Sequence, residues 1–422
     1  MFRCVALLCL TACASGSYLG DETTDDSTAT TDPDWTDTPT GDAPYRPFPQ
    51  QMDHHLGKPS RSQDLLDTDV AVFFDYWKAA YLRESNGNTQ GGGYYIEGEG
   101  TGYANEKTTS EAHGYGMIVF ALMAGRDADA QEIFDGLFNM YDHHRSTGDP
   151  DLMSWVISNN ENGNQDSNSA TDGDMDIAYA LLLAHDQWGS NGPINYQGQA
   201  LRIIEDGIRR SEVDGGSMRT LLGDWDNDPN SSRPSDWMTG HFAAYAETTG
   251  DDWWYTLQAE TYDNVASLQD NHAPNTGLLP DFVIGDPPRP SGAWFLENEN
   301  DGSYYWNACR VPWRLATDVA HNDSAEAAAA IQKMADWIVS ETNGDPWEIK
   351  AGYTLDGQQL NSWGVTAFSA PLIAATAVDS EHQAFLDDGW DLMTEERQGY
   401  YEDSINLLTM LLISGNWWAP AQ

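Results

Sequence analysis

Basic residues and cysteine are what this chain has least of. Lysine and arginine together number 20 against 67 aspartates and glutamates in 422 residues, which leaves a formal net charge of −47. So acidic a composition excludes the phosphate-neutralising surface on which nucleic-acid binding depends, and no nucleic-acid partner is expected. Of the 4 cysteines, Cys4, Cys9 and Cys13 all sit close to Met1. The body of the chain keeps only Cys309, so no internal disulfide is available to it. Long apolar runs are missing as well. Met1–Ala12 carries Arg3 and an apolar stretch through Leu10, too short to span a bilayer and built like a secretory signal. Metal-binding spacings are absent: His54-His55 and His143-His144 are adjacent pairs, not pairs one helical turn apart. Asp224-Trp225-Asp226-Asn227-Asp228 starts like a calcium loop, but Pro229 follows where such a loop needs glycine. Phosphate loops and nucleophile elbows are also lacking.

What is present begins with the N-terminus. Leu10-Thr11-Ala12-Cys13 resembles a bacterial lipoprotein signal, with Cys13 as the lipidated residue; ordinary cleavage after Ala12-Cys13-Ala14 competes with it. Either reading implies export, with membrane contact only through the anchor. Residues 13–49, rich in Asp, Thr and Pro, read as a solvated tether, because so few apolar groups cannot offset ordering entropy. Residues 50–422 then form one folded domain, expected to be monomeric. Gly20–Pro49 holds only eight of the acidic residues, so the domain itself carries most of the charge. Adaptation to high salt and attraction of a polycation such as chitosan both account for that.

Helical periodicity dominates the domain. Apolar residues recur at three- and four-residue spacing over Asp64–Leu82, Glu111–Leu122, Ala128–His143, Asp174–Trp188, Tyr196–Ser211 and Asp236–Thr248. Asp252–Gln269, Pro312–Val319, Ala325–Glu341, Ser362–Ala377, Glu381–Met393 and Tyr401–Leu412 follow. Strand-like alternation is confined to short pieces such as Gly93–Glu97 and Leu152–Ile157. Twelve helices in sequential hairpins fit a ring of six inside six, an all-α barrel. The segments Asn160–Thr171, Leu222–Ser235 and Asn271–Asn307 are too long to be plain connectors and are expected to build a cleft.

The most informative stretch is Ala170–Trp188, reading ATDGDMDIAYALLLAHDQW. Asp172, Asp174 and Asp176 alternate through a helix entrance, where free N–H groups and the positive end of the dipole favour negative charge. One Asp would suffice as a cap. The apolar positions behind them suggest a helix that buries one side while its acidic start faces a cleft.

This stretch resembles the signature of glycoside hydrolase family 8. The likeness continues in Ser110-Glu111-Ala112-His113-Gly114-Tyr115-Gly116-Met117, in Thr276-Gly277-Leu278-Leu279-Pro280-Asp281-Phe282 and in Asn307-Ala308-Cys309-Arg310-Val311-Pro312-Trp313-Arg314. The resemblance implies an (α/α)6 barrel and an inverting hydrolysis run by two carboxyl groups, with no metal or cofactor. It makes Glu111 the general acid, with Ser110 as its N-cap and Gly114 and Gly116 keeping the local surface low. Asp172 becomes the residue that holds the sugar at the cleavage point.

The base departs from the common pattern. Many members carry an Asp where this chain has Asn307, and a neutral amide cannot take the proton from water. Asn at this position is similar to a second subgroup, in which a Glu on a preceding loop serves as base. Phe295-Leu296-Glu297-Asn298-Glu299-Asn300-Asp301 offers Glu297, taken first because Trp294-Phe295-Leu296 could anchor it, and Glu299 as the alternative. Trp155, Trp225, Tyr305, Asn307, Arg310 and Tyr353 are the expected substrate-binding residues, the aromatics offering faces to sugar rings and Arg310 orienting a carboxylate. The resulting expectation is an exported endo-β-1,4-glycanase acting on a polysaccharide. Chitosan is placed ahead of cellulose or β-1,3-1,4-glucan, and a surface lipoprotein that binds carbohydrate without cleaving it is the alternative of a different class.

Overall fold

The computed structural model describes residues 44–85, 93–98, 106–158 and 164–420. The secretory signal, Cys13 and the tether up to residue 43 lie outside the described residues.

Among the described residues, twelve helices are found where periodicity places them. They are α1 (Gln63–Tyr81), α2 (Ser110–Leu122), α3 (Ala130–His143) and α4 (Thr171–Trp188). In α5, Tyr196–Arg202, a π-helical Ile203–Ile208 and Arg209–Ser211 run on as one helix. Then come α6 (Thr239–Thr249), α7 (Trp253–His272), α8 (Val311–Asn322) and α9 (Ala325–Glu341). The last three are α10 (Thr366–Thr376), α11 (Gln383–Glu395) and α12 (Tyr400–Ile413). Short antiparallel strands accompany them, among them Tyr94–Ile96 and Val156–Ser158.

Burial sorts the helices into two rings. The odd-numbered ones bury one stripe: in α9 it is Ala327, Ala330, Ile331, Met334, Ala335 and Ile338, the spacing of a helix with one face in water. The even-numbered ones are buried over most of their length, with Glu247 of α6 exposed, and every residue of α10 is buried. They form a closed ring in which α2 packs on α4, α4 on α6, α6 on α8, α8 on α10, α10 on α12 and α12 on α2. This is the (α/α)6 barrel. The expectation that α4 buries one side is therefore corrected: Thr171–Ala184 is buried throughout, because an inner helix meets neighbours in every direction.

All inner helices start at the same rim. At the opposite end, Tyr45, Phe48, Met52 and Gly57 donate their N–H groups to the carbonyls of Gln187, Ala124, Gly415 and Ala377. These carbonyls end α4, α2, α12 and α10, which would otherwise leave acceptors unsatisfied. Residues 44–49, assigned from composition to the tether, are thus part of the barrel floor, because backbone capping needs no apolar side chains.

Two glycines set the closest helix contact. A Cβ on Gly173 would stand 2.3 Å from Ser110 Oγ, and one on Gly114 would stand 2.5 Å from Asp176 Cβ. Gly114 and Gly116 therefore do not shape an open surface; they sit at buried contacts, and Gly114 lets α2 lie against the start of α4. This approach brings Glu111 and Asp172 to one partner.

Candidate active site

The rim formed by the inner helix N-termini gathers the functional side chains. In α2 every residue is buried except Glu111, whose side chain keeps 18% exposure, enough for a substrate atom to reach it. The cap is Thr109, whose hydroxyl accepts from Ala112 N, one residue earlier than the Ser110 read from sequence. Ser110 instead donates its N–H to the Trp155 carbonyl at 3.0 Å.

Arg310, fully buried at the start of α8, is the hub. Its Nη1 donates to Glu111 Oε2 at 2.8 Å and to Asp172 Oδ2. Its Nη2 donates to Ser235 Oγ at 3.0 Å and to Asn307 Oδ1 at 3.2 Å. Asn307 in turn donates through Nδ2 to Glu297 Oε2 at 2.9 Å. A continuous set of hydrogen bonds therefore runs from Glu111 through Arg310 and Asn307 to Glu297. Glu299, also exposed, has no such tie.

The two helix-entrance carboxyls titrate in opposite directions. Glu111 is pushed up to about 7, chiefly by burial; Arg310 and the Tyr400 hydroxyl, which donates to Oε1 at 2.7 Å, oppose the rise, and the charge of Asp172 adds to it. Asp172 is drawn down to about 2: burial acts against this, but the Arg310 and Arg233 guanidiniums outweigh it, and the Gly173 N–H donates to Oδ1 at 2.9 Å. One carboxyl is thus kept protonated near neutral pH beside one kept ionised, an arrangement that separates a proton donor from an electrostatic partner.

The other two Asp of the entrance do different work. Asp176 points into the barrel, paired with both Nη atoms of Arg314 and with His241 Nε2 at 2.9 Å. Asp174 is fully buried and accepts from Met153 N at 2.8 Å. Only Asp172 of the three reaches the hub.

The loop carrying Glu297 is held otherwise than its sequence suggests. Trp294 is 71% exposed and Leu296 44% exposed, so of the three apolar residues only Phe295 packs, against Phe282. The anchor is Asp301, fully buried, whose carboxylate accepts from the N–H groups of Leu296, Glu297 and Asn298 at 2.7, 3.0 and 2.9 Å. A second carboxyl, Asp281, accepts on one oxygen from the N–H groups of Tyr305, Asn307 and Ala308 at 3.0, 3.0 and 2.7 Å. It fixes the turn that presents Asn307. Asp281 stands in a motif visible in the sequence; Arg233, Ser235, Asp301 and Tyr400 carry no local signal there.

Trp225 is 44% exposed. Its neighbour Asp224 ties the loop to the α4 entrance, accepting from Ser169 N at 3.0 Å and donating its own N–H to Ser169 Oγ at 2.9 Å. Trp155 and Tyr305 are half-buried. Tyr353 must be withdrawn from the substrate-binding set. It is fully buried, its hydroxyl accepts from Lys350 N at 2.7 Å and its ring meets Trp337 edge-on, so no face is left for a sugar.

The match with known proteins agrees with this geometry. Residues 70–415 fit the family model described as glycosyl hydrolases family 8. The chain belongs to glycoside hydrolase family 8. Among its relatives, an endoglucanase of Bacillus sp. (strain KSM-330) is 42% identical over 89% of this chain and 82% of its own length. A beta-glucanase of Niallia circulans is 42% identical over 89% of this chain and 92% of its own. The solved apo structure of a beta-1,3-1,4-glucanase from Paenibacillus sp. X4 superposes with a TM-score of 0.85 at 40% identity, covering 89% of this chain and 100% of that one. The family 8 chain is accordingly a glycoside hydrolase, an endo-glycanase with a polysaccharide substrate.

The buried acids of this family 8 barrel give its stability a definite pH dependence. Burial raises Glu111 to about 7, Asp236 to about 6, Asp281 to about 8, and Asp174 and Glu212 well above their usual range. The folded state therefore holds protons that the unfolded chain releases above about pH 4, and stability falls as pH rises. Asp172 and Asp176, both lowered, contribute stability that is lost only below about pH 4. Burial also lowers His54, His113, His241 and His321, which adds stability as pH rises toward about 6.5 and offsets the acids there, so the Tm is expected to decline from about pH 6.5 to 8.5. In about 1 M salt, where surface charges are screened beyond ~3 Å, the decline should persist. A Tm that stays level or rises over this range contradicts the account.

Proposed function

We propose that this hydrolase is an inverting endo-β-glucanase that cleaves β-1,4 bonds in a mixed-linkage β-1,3-1,4-glucan or a cellulose-type chain. Glu111 protonates the leaving glycosidic oxygen, Glu297 takes the proton of the attacking water, and Asp172 holds the sugar between them. The carrying observation is the Glu111–Arg310–Asn307–Glu297 set of hydrogen bonds, which supplies a carboxylate where Asn307 alone could not act. It favours hydrolysis over a binding-only cleft.

Glucan is preferred to chitosan because the relatives at 42% identity are named as glucanases; the sequence reading had the order reversed. Release of reducing ends from β-1,3-1,4-glucan, carboxymethyl cellulose and chitosan tests this. Turnover on either glucan exceeding that on chitosan is expected, and chitosan cleaved fastest would overturn it. The apolar stretch before Cys13 supports an exported, lipid-anchored protein, and the mass of the mature N-terminal peptide decides between lipidation and free release.

A further inference from the structure

We propose that Trp363 is a sugar platform at an outer subsite of the cleft, binding one glucose unit of the β-glucan chain away from the bond that is cut. Trp363 is 47% exposed although its ring stands 6.3 Å from that of Trp306, inclined at 39°. An indole left half in water loses much of the apolar burial that folding could have given it, and exposed apolar surface beside a functional site marks a binding face. Its placement ties it to the chemistry. Trp306 precedes Asn307, which holds Glu297, and the Trp306 carbonyl accepts from the Tyr401 hydroxyl at 2.6 Å, next in sequence to the Tyr400 that holds Glu111.

The loop that carries Trp363 is fixed in register with this segment. Tyr304 and Tyr353 exchange backbone hydrogen bonds at 3.0 and 2.9 Å, and Ala351 donates its N–H to the Trp363 carbonyl at 2.8 Å. Gly352, at φ +102°, lies so close to Tyr305 that a Cβ would stand 2.5 Å from Cδ2. The platform therefore sits at a set distance from Asn307 and Glu297. Trp155 and Trp225 belong to the loops before α4 and α6, whereas Trp306 and Trp363 precede α8 and α10. The four loops before α4, α6, α8 and α10 thus each bring a tryptophan to the rim. A sugar ring has an apolar C–H face to lay on the indole and hydroxyls to meet its N–H. Binding energy gained so far from the reacting bond helps only chains long enough to reach it.

This inference rests on the glucanase reading, and its test separates the two. Wild type, Trp363→Ala and Trp363→Phe are compared in kcat/KM across β-1,4-linked oligosaccharides from tri- to hexasaccharide, with Tm measured alongside. The Ala variant is expected to match wild type on the shortest cleaved substrate and to lose roughly tenfold on the longest, mainly in KM, while Phe restores part of the loss and Tm stays within a degree or two. Equal loss at every length, or none at any length, overturns the platform. If wild type leaves glucan oligosaccharides intact but cleaves the chitosan series, the glucanase reading fails and the same length comparison on chitosan decides the platform.

Discussion

Replacing Glu111 with glutamine is expected to lower turnover by roughly 10²–10⁴-fold, the usual share of a general acid, without lowering the Tm. The carboxyl is already held near a pKa of about 7, so a neutral amide of the same shape disturbs little at neutral pH. Its oxygen can still accept from Arg310, and its NH₂ can turn to the Tyr400 hydroxyl. The pH profile of kcat/KM gives a sharper form of the prediction. With Glu111 as the required acid, activity falls as pH rises through about 7. Tyr400 donates to the ionised form and holds the pKa down, so Tyr400→Phe moves the alkaline limb to higher pH. The charge of Asp172 raises it, so Asp172→Asn moves the limb to lower pH and weakens sugar holding as well. An alkaline limb that ignores both substitutions would mean that another group donates the proton.

The second large effect concerns the base. Glu297→Gln is expected to lose roughly 10²–10⁴-fold in kcat, and Glu299→Gln less than about threefold. Both residues are exposed and two positions apart on one loop, so general charge or loop stability would affect them alike. What separates them is the Asn307 Nδ2 bond to Glu297 at 2.9 Å and the Asp301 carboxylate that fixes the Glu297 backbone. Asp301→Ala should then resemble a weakened Glu297→Gln, lowering kcat with little change in KM. If Glu299→Gln is the inactive variant, the base is misassigned.

Much of the barrel was legible because its two kinds of helix leave strong patterns: outer ones show a stripe, and inner ones such as Thr366–Thr376 show nearly unbroken apolar sequence. What sequence could not separate was one-sided from all-round burial in α4, since polar Asp174 and Asp176 are buried there through partners distant in the chain, Met153 and Arg314. Glu111, Asp172 and Arg310 were legible by motif. Tyr400 was not, because it meets Glu111 across 289 residues of chain and only ring closure brings them together. The anchor of Glu297 was misread for a related reason. Three neighbouring apolar residues look like a hydrophobic foot, whereas a single Asp collecting three backbone N–H groups leaves no pattern beyond one more acidic residue in an acidic chain. Tyr353 was misread because aromatic residues in loops look alike until burial is known.

The central claim is that Glu111 and Glu297 act as acid and base on a water that inverts the anomeric carbon. Proton NMR of the sugar released in the first minutes of hydrolysis, before mutarotation, tests it most directly. The α-anomer should appear first from a β-linked glucan and relax to the equilibrium mixture. Initial accumulation of the β-anomer would show retention and contradict the assignment.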